Sequence, residues 1–227
     1  MIVIFDTETT GVDLLRDDVV QLAAVVLDEH GNTVQTFNRL CNPGREIPPE
    51  ATAVHGIDDT DVMLAGSSRA VINAWWRTLV YTVKDPVLVG HNVLTFDIPL
   101  IRKHVEWEPF PVIDTYQAAI RLEIDPPSHR LADLHAGYRF ESQKAHDALG
   151  DCLMVRDLLL TYLKHMGMTA GQFAAWLARP ALLETMPFGK WKGKRFREIP
   201  VGYLKFMLTK DLSPDLRASM DHGLRYR

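Results

Sequence analysis

Ile2-Val3-Ile4-Phe5-Asp6-Thr7-Glu8-Thr9-Thr10-Gly11 opens the chain. Its first four residues are β-branched or aromatic and read as a short buried strand, and Thr-Thr-Gly reads as a turn. Residues two apart in an extended strand point to the same side, so Asp6 and Glu8 aim at one place directly after the buried run. Two carboxylates held close repel each other unless a cation lies between them. An all-oxygen ligand pair suits magnesium or manganese rather than zinc or copper. A solvated turn with a capping acid explains the pair alone equally well, so the rest of the chain decides between the two.

Working outward, Val19–Leu27 is β-branched and nearly continuous. Thr33–Leu40 alternates after a turn at His30-Gly31-Asn32, which makes three antiparallel strands in succession. A Pro-rich loop is expected over Cys41–Asp59, then a helix over Ser67–Tyr81 through Val71, Ile72, Trp75 and Leu79. Val87–Val89 reads as a buried strand running into Gly90-His91-Asn92. Phe96–Val105 is expected to be helical, Val112-Ile113 a short strand before Asp114, and Thr115–Leu122, Leu131–Gly137 and Ala145–His165 helices. The pattern predicts an α/β fold with a mixed central β-sheet flanked by helices. Thr169–Leu177 predicts a further short helix, and Phe188–Lys194 a small hairpin followed by helices near Val201–Thr209 and Pro214–His222. The expected division is a main domain over residues 1–168, a helical linker over 169–186 and a small basic C-terminal unit over 187–227.

Two more acidic motifs follow strand ends or open helices. In Gly90-His91-Asn92-Val93-Leu94-Thr95-Phe96-Asp97 a strand delivers His91-Asn92, and Asp97 falls in the first turn of a helix. In Ala145-His146-Asp147-Ala148-Leu149-Gly150-Asp151 an acid stands on the otherwise apolar side of the longest helix, where it needs a partner. Two close metals clamping the attacking and leaving oxygens of a phosphodiester need several carboxylates. A histidine titrating near neutrality suits the proton of the attacking water. Asp147 is the second choice of ligand after Asp151, since the two share a face.

The three motifs, in this order, resemble the DEDDh branch of the DEDD exonuclease superfamily over roughly residues 1–165, a group with a ribonuclease-H-like fold. The tyrosine branch would need Tyr at position 147, where the chain has Asp147. The resemblance implies that Asp6, Glu8, Asp97 and Asp151 bind two Mg2+ ions, with Mn2+ substituting, and that His146 is the general base. The implied reaction is 3′→5′ hydrolysis of DNA, single strands preferred, to nucleoside 5′-monophosphates, in DNA repair or processing. It further implies that the backbone at Thr7 and Thr9 meets the terminal nucleotide, that Leu14 packs on the last bases, that the loop with His55 lies over the 3′ end, and that Asn92 and Phe96 shape the pocket. Structural, loop-anchoring readings of His55 and His91 weigh as much as functional ones. His30, His104 and His165 read as surface residues, and Trp75-Trp76 as core. Members of the group are often dimers, but no stripe of residues identifies a dimer face or a polymerase partner. An RNA-trimming exonuclease remains an alternative, because only contacts to the 2′-hydroxyl separate the sugars. A non-catalytic nucleic-acid-binding or polymerase-associated module is the alternative of another class, and it would not need the four carboxylates and His146.

Charge divides the chain. Of 227 residues with a net charge of −4, residues 1–170 hold 14 Lys and Arg against 24 Asp and Glu, a net of −10, and the remainder hold 11 against 5, a net of +6. Lys190, Lys192, Lys194, Arg195 and Arg197 interleave with Phe188, Trp191 and Phe196, a mixture that suits phosphates and unpaired bases. Alternation in a hairpin would set the even-numbered lysines on one face, opposite Trp191. A solvated face over a mini-core of Trp191, Tyr203 and Phe206 is an equally good reading. This tail also resembles the C-terminal segment of one DEDDh subfamily. The Gly189…Gly193-Lys194 spacing is wrong for a phosphate-binding loop, and Arg195 stands where Ser or Thr is required. No Gly-x-Ser-x-Gly elbow is present. Cys41 and Cys152 form no Cys-x-x-Cys pair, which disfavours a disulfide framework or structural zinc. Val19–Leu27 is broken by Gln21 and half a membrane span. With no basic leader before Ile2, the expected location is the cytoplasm.

Overall fold

The computed structural model describes residues 1–122, 128–138, 140, 147–210 and 212–226. Two compact units emerge, Met1–Trp176 and Leu177–Arg227. Among the described residues no helix is long and apolar enough to cross a membrane.

The first unit is built on five strands: β1 Ile2–Thr9, β2 Val19–Leu27, β3 Thr33–Leu40, β4 Val87–Gly90 and β5 Val112–Asp114. Their order is β3-β2-β1-β4-β5, antiparallel from β3 to β1 and parallel from β1 to β5. The sheet is mixed because the first three strands are joined by tight turns, whereas β4 and β5 arrive through helical crossovers. The unit's helices are α1 Pro49–His55, α2 Asp59–Val62, α3 Ser68–Thr82, α4 Asp97–Ile101, α5 Thr115–Arg121, α6 Leu131–Gly137, α7 Ala148–Met166 and α8 Ala170–Leu177, the last ending across the boundary. This is the ribonuclease-H-like arrangement expected from the sequence.

Each face of β1 carries its own layer. Val3 and Phe5 join a core with Ile72, Trp75, Trp76 and Leu79 of α3, where the Phe5 and Trp75 rings lie 5.5 Å apart. Trp76 stacks on Trp107 at 4.6 Å and gives its indole N–H to the Glu106 carbonyl at 3.0 Å, so both tryptophans are core residues. The opposite face meets α7, whose Cys152 Sγ lies 3.6 Å from the Ala23 carbonyl. Asp6 and Glu8 belong to this second face and emerge beside α7.

Three expectations change in the first unit. The Cys41–Asp59 loop contains α1 and the start of α2: Pro49 pre-sets φ at the helix start, and the Asp58 side chain caps α2 through the Thr60 and Asp61 amides. The helix from Phe96 is shorter than expected and ends at Ile101. His104 is no surface residue: its ring is 8% exposed and its Nε2 lies 2.7 Å from Asp18 Oδ1. His30 and His165 are exposed as expected.

In the second unit, α9 Val201–Leu208 and α10 Pro214–Arg225 pack with Phe196 and Ile199 around Met186, Leu204, Leu216 and Met220. The expected hairpin at Phe188–Lys194 is not formed. Gly189 at φ +71° and Gly193 at φ +78° leave the extended region, a 3-10 turn covers Gly189–Trp191, and pairing is confined to the Thr185–Arg195 bridge. The predicted alternation of lysines therefore does not exist. Trp191 and Tyr203 pack on the core, but Phe206 is 56% exposed and Phe196 takes the central place expected of it. Phe196 lies so close to Gly223 that a Cβ there would fall 2.5 Å from its own Cβ.

Candidate active site

Asp6, Glu8 and Asp151 each present a carboxylate oxygen, all within 4.8 Å of one another, the one such metal-competent group among the described residues. The first two come from the end of β1 and the third from the first turn of α7, beyond the small residues Ala148 and Gly150 that let the helix approach the strand. Asp97, at the start of α4, is buried beside them and accepts a 2.6 Å hydrogen bond from the Thr7 hydroxyl. Thr7 thus projects to the other side of β1 and holds the fourth carboxylate from there.

The electrostatics show which chemistry the arrangement suits. Burial, then Asp97, Asp151, Glu8 and Asp147, hold the Asp6 carboxyl well above the usual carboxylate range. Burial, followed by Asp151, Asp147 and Asp97, pushes Glu8 up to about 8. Burial pushes Asp97 up to about 7 although the Thr7 hydroxyl works against it. Carboxyls crowded this way repel one another, and a cation placed among them relieves the repulsion. A divalent ion with oxygen preference fits the donor set, whereas the nearby Cys152 is sealed in the core with its thiol pushed up by burial and by the same acids.

A cleft of about 770 Å³ adjoins Asp151 and is lined by His91, Asn92, Tyr116, His129, Arg130 and Met154, among others. Asn92 adopts φ +60° at the β4–α4 corner, a conformation asparagine tolerates. Asp114, which sequence reading did not single out, builds that corner. Its carboxylate is buried and accepts from the Asn92, Leu94 and Tyr116 amides at 2.9, 3.2 and 3.0 Å. An acid ending a strand just before a helix was the available signal. Gln21, noted in the sequence only as a break in an apolar run, is a buried amide beside the cluster.

The other predicted residues are distributed as follows. Thr9 donates to the Gly11 carbonyl at 2.7 Å. His55 Nδ1 accepts from the Ile57 amide, so its Nε2 donates to the Thr9 carbonyl at 3.2 Å and ties α1 to the end of β1. His91 has both ring nitrogens engaged, with the Thr115 hydroxyl and the His129 carbonyl. Leu14 and Phe96 rest on the α3-side core. His146 lies outside the described residues. Lys190, Lys192, Lys194 and Arg195 are all exposed in the second unit.

The family model described as Exonuclease, of the RNase T type, matches residues 3–159. The chain is also 32% identical to exodeoxyribonuclease 10 of Escherichia coli (strain K12), over 99% of both chains. The chain belongs to the DEDDh exonuclease family. This DEDDh exonuclease is a 3′→5′ exonuclease acting on nucleic acid, and divalent metals serve its family. It is 34% identical to a DNA polymerase III subunit epsilon-like protein of Rhodobacter capsulatus, over 74% of this chain and 25% of that one. Exonuclease X in complex with 5′-overhanging duplex DNA superposes with a TM-score of 0.62 at 27% identity, covering 78% of this exonuclease and all of that chain. Exonuclease I of E. coli, in a zinc-bound complex with single-stranded DNA, shares the fold with a TM-score of 0.65 at 21% identity, over 79% and 43% of the two chains.

Proposed function

We propose that this exonuclease removes nucleotides from the 3′ ends of DNA, preferring single strands, and releases nucleoside 5′-monophosphates in DNA repair or processing in the cytoplasm. The observation that carries the reading is the meeting of Asp6, Glu8 and Asp151 within 4.8 Å, with Asp97 buried alongside. These carboxylates would hold two Mg2+, or Mn2+, which when bound supply Lewis-acid stabilisation of the attacking and leaving oxygens. The rest falls to the chain's own side chains. Asp6, surrounded by Asp97, Asp151, Glu8 and Asp147, would be a ligand, and Thr7 fixes Asp97 from behind. His146 takes the proton of the attacking water. The Thr7–Thr9 backbone with Leu14, His55, Asn92 and Phe96 receives the terminal nucleotide, and the cleft beyond Asp151 receives the strand that leads to it. Exonuclease X bound to duplex DNA with a 5′ overhang, and so with a recessed 3′ end, supports DNA as substrate. In the basic unit, Lys190, Lys192, Lys194 and Arg195 supply phosphate contacts beside the exposed Phe188.

The test is degradation of 5′-labelled DNA and RNA, single and double stranded, with Mg2+, Mn2+ or EDTA. A one-nucleotide ladder on single-stranded DNA that EDTA abolishes is expected. Faster cutting of RNA, or activity in EDTA, overturns the reading.

A further inference from the structure

Gln21 is the one polar side chain on β2, where every neighbour is apolar and buried, and it is itself 6% exposed. The antiparallel register sets it opposite Glu8. Its Nε2 donates to Asp147 Oδ1 and to Asn38 Oδ1, each at 3.0 Å, while its Oε1 accepts from the Ala148 amide at 3.2 Å. The amide's orientation is therefore fixed, since turning it over would set its oxygen against two acceptors and its NH2 against a donor. Packing alone does not ask for an amide here, because a buried amide costs free energy unless it is fully paired.

The partners are the telling part. Asp147 holds the N-cap position of α7 without capping it, and its side chain is engaged with β2 instead. Ala148 presents one of the orphan amides of the helix start, and it is Gln21 that satisfies it. The Asp147 carbonyl in turn accepts the Asp151 amide at 3.0 Å. A single side chain thus ties the strand paired with β1 to the turn that carries Asp151, and to the residue that follows His146 in the chain. It also occupies a fifth carboxylate that stands close enough to raise Glu8.

We propose that Gln21 is a positioning residue for hydrolysis, clamping the start of α7 to β2 through Asp147 and Ala148 so that Asp151 is held in register with Asp6 and Glu8. The proposal rests on the exonuclease reading above.

Steady-state hydrolysis of a 5′-labelled single-stranded oligonucleotide by the full chain, in saturating Mg2+, tests it. Gln21→Leu removes all three bonds, and Gln21→Glu keeps the acceptor for Ala148 but loses the donor to Asp147. Both are expected to lower kcat by about 10- to 100-fold, the usual cost of removing a group that orients ligands, with KM little changed. Asp147→Asn still accepts from Gln21, so its kcat stays above that of Gln21→Glu. In the double variant Gln21→Glu with Asp147→Asn the bond re-forms with donor and acceptor exchanged, and kcat recovers. Manganese binding to the metal-free proteins, titrated by electron paramagnetic resonance, follows the same order. If Gln21→Leu fails to fold, Gln21→Glu and the double variant still decide. Wild-type kcat in Gln21→Glu, a double variant no better than the single, or an inactive Asp147→Asn each overturns the proposal. A wild-type protein without metal-dependent hydrolysis refutes the exonuclease reading first, and the clamp with it.

Discussion

Replacing Glu8 with Gln should abolish hydrolysis yet stabilise the metal-free protein, with a gain that grows with pH. Glu8 has an ordinary value of 4.5 and is pushed up to about 8 in the fold. Below pH 4.5 both folded and unfolded chains carry the proton and nothing is lost. Between 4.5 and 8 the unfolded chain releases it while the fold retains it, so the fold loses stability as pH rises; above about 8 both are ionised and the penalty is constant. The difference amounts to about 1 kcal/mol at pH 5.5, about 3 kcal/mol at pH 7 and nearly 5 kcal/mol above pH 8.5. Glutamine has the same shape and no charge to lose, so it removes the penalty. At about 2–4 °C per kcal/mol for a chain of this size, Glu8→Gln should melt about 6–12 °C above wild type at pH 7 in EDTA. Thermal melts at pH 5.5, 7 and 8.5, with EDTA or excess Mg2+, measure it. In Mg2+ the order reverses, because the ion stabilises the wild-type site by mass action. Equal melting temperatures for the two proteins at pH 8.5 in EDTA would refute the picture of an unneutralised acidic cluster around Glu8.

Further outcomes are expected. Asp6→Ala and Asp151→Ala proteins should fold and lose metal-dependent hydrolysis; full activity in both would dismantle the site. Thr7→Val removes the hydroxyl that opposes the upward shift of Asp97, so the acid limb of the pH–rate profile should move to higher pH, and the unpaired buried carboxyl should cost about 1–3 kcal/mol of folding stability. Changing Lys190, Lys192, Lys194 and Arg195 together to Gln should flatten the salt dependence of single-strand binding by up to about 3 in the log–log slope, at about 0.7 per phosphate contact. An unchanged slope would show that the turn touches no phosphate.

The sheet and the acidic positions were legible because their signals are local. Val19–Leu27 is apolar enough to be nothing but a buried strand, and Asp6 and Glu8 follow from the two-residue period of the strand before them. Short helices were less legible: α1 and α2 rest on Pro49 and the Asp58 cap, single residues inside a stretch otherwise rich in turn formers. The Phe188–Lys194 hairpin failed because alternation of lysine with glycine and tryptophan imitates a strand, and only the positive φ of Gly189 and Gly193 reveals the turn. His104, Asp114 and Gln21 escaped for a different reason. Their importance lies in partners 86, 22 and 126 residues away, and no periodicity reports such distances.

Asp6, Glu8, Asp97 and Asp151 are gathered from the first strand, a corner in the middle of the chain and the last long helix of the first unit. Docking α7 on β1 therefore does two things at once: it closes the most distant loop of the fold, and it delivers the final acid of the site. Closing so long a loop is the slow, entropically costly part of assembling such a topology. A chain still emerging from the ribosome, or one whose α7 has peeled away, holds only part of the acidic centre. A copy in which α7 has not docked on β1 lacks Asp151 from the cluster that Asp6 and Glu8 begin.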